Sequence, residues 1–260
     1  MIMDSIQVFT KSFERGIFFM PLGDIHFDAF CDTTRLEKDI QEIKENGYYT
    51  ALIGDLFDVG FFNHVRDLEE RERTLNDAMR SLKSLLTPIK DRILCVVEGN
   101  HDRRISKATG FDILEELTDD LGIPYARGQA ILDLRVGQRG YTRRDGKYSY
   151  VIALSHGYGG GRTHGAKANK ITHWIDTWEG IDLFVLGHVH TPMSIPTARY
   201  IFDHRTGKVN VREIRSIILT AYQERALYSV QGLYPPSARL NYLVHLRGDK
   251  KQITITEKEV

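Results

Sequence analysis

Short apolar runs alternate with charged, amphipathic stretches along this chain of 260 residues. Residues 16–22 read as a strand, and 34–46 as a helix with Leu36, Ile40 and Ile43 at helical spacing. Residues 49–53 are the next strand candidate. A long helix rich in Glu and Arg is expected over 64–86, with Leu75, Met79, Leu82 and Leu86 on one face. Residues 92–97 return to strand, and 111–121 to a helix carrying Ile113, Leu114 and Leu117. This β-α repetition favours a mostly parallel sheet. The second half is richer in strand. Residues 130–136 and 148–154 are expected neighbours around the polar turn 140–146, 167–178 is a helix, and 183–186 is a short buried strand. Strands at 194–203, 209–220, 241–247 and 252–257 follow, with turn signals at 203–207 and 248–250. The pattern predicts an α/β fold in which two sheets pack together with helices outside.

Composition narrows the class. With 42% hydrophobic and 27% charged residues the chain reads as a soluble globular protein. No composition break, repeat or low-complexity linker divides it, so a single domain over 1–260 is expected, without a separate capping domain. Lys plus Arg (35) equals Asp plus Glu (35), which removes any net field for recruiting nucleic acid or an anionic membrane, though not a local basic patch. The two cysteines, Cys31 and Cys95, form no CxxC pair, and Cys95 lies inside the apolar run 93–97. That usage fits a reducing cytoplasm rather than a disulfide framework. The first 16 residues carry charge without a long apolar core, so no secretory leader is read there. No apolar run approaches the ~18 residues of a membrane span.

Five polar clusters follow directly on strand candidates: Gly23-Asp24-Ile25-His26, Gly54-Asp55-Leu56-Phe57-Asp58, Gly99-Asn100-His101-Asp102, Ser155-His156-Gly157 and Gly187-His188-Val189-His190. Residues two apart on an extended segment point the same way, so Asp24 and His26 are expected to face one ion together. Glycine beside each cluster lets the backbone turn sharply and approach a ligand. In open α/β sheets, sites form at the carboxyl ends of strands, where five clusters can converge. Carboxylate, amide oxygen and imidazole without thiolate suit hard or borderline divalent ions. Seven candidate ligands exceed one tetrahedral zinc and suit two ions sharing a carboxylate.

GDIH, GDLFD, GNHD, a lone SHG and GHVH, in this order, resemble the calcineurin-like metallophosphoesterases, in their bacterial and phage-type phosphodiesterase branch. The likeness runs from Asp24 to His190, about two thirds of the chain. It implies a four-layer α/β/β/α sandwich with mixed sheets and a dimetal site at the sheet edge. By position, Asp24, His26 and His190 would hold the first metal, Asn100, His156 and His188 the second, and Asp55 would bridge them. The cofactors implied are two divalent metal ions, Mn²⁺ foremost, with Fe, Zn²⁺, Ni²⁺ or Mg²⁺ also compatible. His101 matches the histidine that protonates the leaving oxygen, and Asp58 the carboxylate that orients it. The implied reaction is in-line attack of metal-activated water on a phosphate ester.

Other residues carry weaker signals. Arg103 and Arg104 follow GNHD and could grip a phosphate, or simply begin a solvated helix. The glycine-rich loop 157–165 could bring Arg162 and His164 to substrate, or be slack before the next helix. Phe27, Phe57, Phe61 and Phe62 read as core packing ahead of base stacking, and His64, His173, His204 and His245 as structural.

Substrate is read from departures. The protein serine/threonine phosphatases carry GDxxDRG and GNHE, whereas Val59 and Asp102 stand here, which weighs against that branch. About seventy residues follow His190 and read as strands, which weighs against the large cap of the repair nucleases. A small-molecule or nucleotide-type phosphodiester is therefore the expected substrate, with DNA or RNA second, a phosphomonoester third, and no membrane partner. A non-catalytic binding scaffold on the same fold would have lost ligands that this chain keeps. Oligomeric state is left open.

Overall fold

The computed structural model describes residues 6–27, 31–58, 74–137, 147–161, 163–223 and 238–259. Its first half runs β1 (Ile6–Phe13), β2 (Ile17–Phe19), α1 (Thr33–Asn46), β3 (Thr50–Ile53), α2 (Leu75–Leu86), β4 (Ile93–Val97), α3 (Asn100–Thr109) and α4 (Ile113–Leu121). Then come β5 (Tyr125–Ala126), β6 (Gln129–Val136), β7 (Tyr148–Ser155), α5 (His164–Asp176) and β8 (Leu183–Leu186). The chain finishes with β9 (Met193–Ser194), β10 (Thr197–Asp203), β11 (Lys208–Ile218), β12 (Leu240–Leu246) and β13 (Ile253–Glu259).

Strands apolar at nearly every position become sheet centres. β3, β4 and β8 are buried along their whole length, as strands covered on both faces must be. One sheet has the order β1-β6-β7-β8-β11-β10, with β9 alongside β11. β1–β6, β7–β8 and β8–β11 pair parallel, whereas β6–β7 and β10–β11 pair antiparallel. The second sheet comprises β13-β12-β2 and β3-β4-β5. Parallel bridges from Phe19 to Tyr49 and from Leu22 to Leu52 join those halves, and Ile53 N–H donates to the Leu22 carbonyl at 2.7 Å.

The two sheets meet face to face through Phe19, Ile53 and Val97 on one side and Leu132, Ile152, Leu154 and Val185 on the other. Leu36, Ile40 and Ile43 of α1 cover the second sheet with Leu82 and Leu86 of α2 and Leu114 and Leu117 of α4. Each fully buried leucine or isoleucine contributes roughly 1.5–3 kcal/mol. On the far side Ile171 and Ile175 of α5 pack on Ala153 and Phe184. The architecture is a four-layer α/β/β/α sandwich with mixed sheets. Among the described residues, no helix is long and apolar enough to cross a membrane. Cys31 and Cys95 are both buried.

Two elements escape the hydrophobic pattern. β1 is an edge strand with mostly exposed side chains, and its register is set by the eight-residue ladder to β6. α3 buries only Asp102 and Ile105, too few for an apolar stripe, and starts inside the GNHD cluster. α5 begins at His164, earlier than the periodicity predicts, because Thr163 caps it by accepting from the Ala166 N–H. The 64–73 part of the long helix, Phe61, Phe62 and the turn 140–146 lie outside the described residues.

Candidate metal centre

Four of the clusters begin within three residues of the carboxyl ends of β3, β4, β7 and β8, and the first follows the bridge at Leu22. Asp24, His26, Asp55, His188 and His190 all have positive φ, from 47° to 70°, and they are the non-glycine residues that do so among those described. Each such left-handed residue costs on the order of 1–3 kcal/mol and persists only where its surroundings over-determine it. The extended alternation expected for Asp24 and His26 is therefore corrected: they converge through left-handed turns. Backbone hydrogen bonds hold those turns, from Asp24 N–H to Gly54 O at 3.0 Å and from His26 N–H to Asp55 O at 2.9 Å.

Close approach demands the glycines. A Cβ on Gly99 would lie 2.0 Å from the Asp55 nitrogen, and one on Gly187 would lie 2.9 Å from Asp24 Oδ2. Asp102 ties the second and third clusters together. Its buried carboxylate accepts from the N–H groups of Leu56, Phe57 and Gly99 at 3.1, 3.0 and 3.1 Å. Burial and the neighbouring Asp55 charge push its pKa up to about 7.

The ligand candidates gather in two groups, Asp24 with His26 and His190, and Asp55 with His156 and His188, and His26 also falls in a third group with Asp58 and His101. In the first, His190 Nε2 lies 3.1 Å from Asp24 Oδ1 and 3.1 Å from His26 Nε2. In the second, His156 Nε2 lies 3.0 Å from Asp55 Oδ2 and 3.1 Å from Asn100 Oδ1, which brings Asn100 into the group. Asp24 and Asp55 are fully buried, and among the described residues the cationic groups within 4.0 Å of them are histidines alone. Burial raises both carboxyl pKa values, but imidazole charges and hydrogen bonds outweigh it and hold both below the usual range.

The donor chemistry fits divalent cations. His156 Nδ1 donates to the Ile53 carbonyl at 2.9 Å, so its other nitrogen presents a lone pair to two oxygen acceptors. Electron-rich atoms so arranged need a proton or a metal between them. Without metal the proton is held strongly. Burial opposes it, but the Asp55 hydrogen bond and the Asp24 and Asp55 charges lift His156 to about 9. Burial and the His156 charge push His188 down to about 4.

His101 and Asp58 stand beside these groups. His101 Nδ1 lies 2.7 Å from Asp58 Oδ1, and its Nε2 is 3.9 Å from Asp55 Oδ2. Burial lowers the His101 pKa, but the bond to Asp58 and the two carboxylate charges raise it overall. A residue with no sequence signal joins them: Gln223 Nε2 donates to Asp58 Oδ2 at 3.2 Å. It belongs to no motif, and only long-range folding brings it there.

The remaining candidates are placed differently. Arg103 is engaged by Glu98, 2.6 Å, and by the Arg127 carbonyl, 2.6 Å. Arg104 is exposed on α3, His164 is exposed at the start of α5, and Arg162 lies outside the described residues. His173, read from sequence as structural, lines a cleft of about 800 Å³ that opens beside Asn100, His156 and His188. His245 stacks on Phe18, and Phe27 and Phe57 are core.

Comparison with curated protein sequences gave no match. Among solved structures, a conserved uncharacterized protein of Streptococcus pneumoniae TIGR4, described as a predicted phosphoesterase, is 12% identical with a TM-score of 0.35, covering 94% of this chain and 98% of its own. Vacuolar Protein Sorting 29 from Cryptosporidium parvum is 13% identical with a TM-score of 0.39, covering 95% and 100%. The sequence profile described as calcineurin-like phosphoesterase matches residues 19–192, the stretch that carries every cluster above, and the chain belongs to that family.

Proposed function

We propose that the protein is a dimetal-dependent phosphodiesterase acting on a small or nucleotide-type ester. The observation that carries this reading is the set of five strained, non-glycine residues, each presenting a metal-ligand side chain to one site. Asp24, His26 and His190 would hold one ion, Asn100, His156 and His188 the other, with Asp55 shared between them. When bound, two such ions neutralise phosphoryl oxygens and lower the pKa of a water molecule.

The chain's own residues supply the rest. Asp58 accepts from His101 Nδ1 and so fixes the tautomer and the ring plane. The proton for the leaving oxygen then departs from Nε2, the nitrogen on the Asp55 side of the ring. Asp102 holds the backbone of both metal-bearing turns through its three hydrogen bonds, which keeps Asp55 and Asn100 in register. The cleft beside Asn100 and His188 gives the non-reacting part of the ester a place to lie.

The test joins metal analysis to a substrate panel. Purified protein is expected to bind two equivalents of Mn²⁺ and to cleave bis(p-nitrophenyl) phosphate faster than p-nitrophenyl phosphate. Cyclic nucleotides and single-stranded DNA complete the panel. Asp55→Ala should lose both ions. Retention of two tightly bound ions by that variant, or a metal-loaded protein inert on every ester, would sink the reading.

A further inference from the structure

The cleft carries charge that the metal-ligand clusters do not explain. Its walls include Arg103, Arg127, Lys170 and His173 together with Glu98, and it opens on Asn100, His156 and His188. Two of those cations are already answered. Arg103 pairs with Glu98 at 2.6 Å, and Arg127 pairs with Asp112 at 3.1 Å and Glu115 at 2.7 Å. Lys170 is not answered. Its ammonium donates to the Tyr158 carbonyl at 3.1 Å, and among the described residues it faces no carboxylate.

One turn earlier on α5, Lys167 donates to Thr191 Oγ1, next to His190, and likewise faces no carboxylate among the described residues. Both lysines are partly buried. Burial lowers both pKa values, and the Lys170 charge lowers Lys167 further. Lys170 lines the same cleft as Asn100, His156 and His188, which puts its charge within that space. Two half-buried, mutually repelling ammonium groups without counterions are unfavourable in the free protein. An anion held in the cleft by Lys170 relieves that repulsion.

We propose that Lys170, with His173 in the same cleft wall, forms a second anion subsite that binds a phosphoryl group adjacent to the one being cleaved. The substrate class is thus an ester carrying two neighbouring phosphates. As a statement about substrate this rests on the phosphodiesterase reading above, but the subsite itself can be measured without turnover.

Calorimetric titration of the manganese-loaded protein with inorganic phosphate and inorganic pyrophosphate makes that measurement. Wild type should bind pyrophosphate more tightly than phosphate, and about tenfold of that margin is the share expected of one charge-assisted contact. Lys170→Gln should lose that tenfold share and Lys170→Arg should keep it. Chelation by the metals is common to all three proteins and cancels. An equal margin in wild type and Lys170→Gln overturns the subsite.

Kinetics then separate the two sources of a second phosphate. A nucleoside diphosphate ester and a 5′-phosphorylated dinucleotide are each compared with the same compound lacking the second phosphate. Lys170→Gln should raise KM more on the doubly phosphorylated member of a pair. A rise confined to the diphosphate ester assigns a small nucleotide, and one confined to the dinucleotide assigns a strand. A rise on neither overturns the substrate class. If no ester is cleaved while the pyrophosphate margin persists and depends on Lys170, the phosphodiesterase reading fails and the subsite stands.

Discussion

Nδ1 of His101 lies 2.7 Å from Oδ1 of Asp58, and no other ring nitrogen in the site approaches a carboxylate oxygen so closely among the described residues. The pairing commits Nδ1–H to Asp58 and leaves Nε2 facing Asp55, where it carries a proton when the ring is charged. His101→Asn should therefore keep both metals and lower kcat by about 10²–10⁴-fold on alkyl esters, the usual worth of a general acid. Nitrophenyl esters, whose leaving group needs no proton, should lose much less. Equal losses across leaving groups would refute the role.

Gln223 extends that pair from behind, holding the second Asp58 oxygen at 3.2 Å. Its backbone also bridges Cys31, so the segment is pinned on both sides. Gln223→Leu should leave metal content and KM unchanged and lower kcat by about tenfold, the usual range for a residue that orients a working group. The loss should again be larger for poor leaving groups. An unchanged kcat would reduce Gln223 to packing.

Much of this was legible in the chain because continuous apolar runs force burial on both faces. Residues 183–186 are read as the strand they form, and the pairing of 130–136 with 148–154 appears as the antiparallel β6–β7 ladder. The candidate metal-ligand side chains stand out because each lies in a short polar cluster after such a run. Their backbone did not follow from the same logic. Alternation on an extended strand predicts that Asp24 and His26 share a face, and they do meet, but at φ 50° and 47°. A positive φ is disfavoured at any residue with a Cβ, though less at Asp and His than at most, and the ladder between the first two clusters overrides that preference. Gln223 and Lys170 were illegible for a different reason. A lone glutamine or a lysine in a helix has no spacing signature, and its partners come from distant segments.

Gly99 tests how tightly the second and third clusters are packed. An added Cβ would sit 2.0 Å from Asp55 N and 2.1 Å from Asp55 Oδ1, both on a fully buried residue. Gly99→Ala should destabilise the protein by about 3 kcal/mol in urea unfolding and weaken binding of both metals. Gly160→Ala serves as the control, since a Cβ there meets nothing within 4 Å. Similar unfolding midpoints for the two variants would contradict the packing.

His156 should make the metal-free protein sensitive to alkaline pH. Burial disfavours its charged form, but Asp55 and Asp24 overcome this and raise the folded pKa from 6.5 to about 9. A raised imidazole pKa means that the folded state holds the proton more tightly than the unfolded chain. Its stabilisation is complete below 6.5 and disappears as pH rises through about 9. The shift corresponds to on the order of 3 kcal/mol. Thermal melts of chelator-treated protein should therefore fall in Tm between these two pH values, by roughly 5 °C or more. His156→Gln, which has no proton to lose, should start less stable and show a flatter profile. Metal-loaded protein should also be flat, because ligation takes the place of the proton on Nε2. A chelator-treated wild type whose Tm does not change across this window would show that His156 is not held protonated between Asp55 and Asn100.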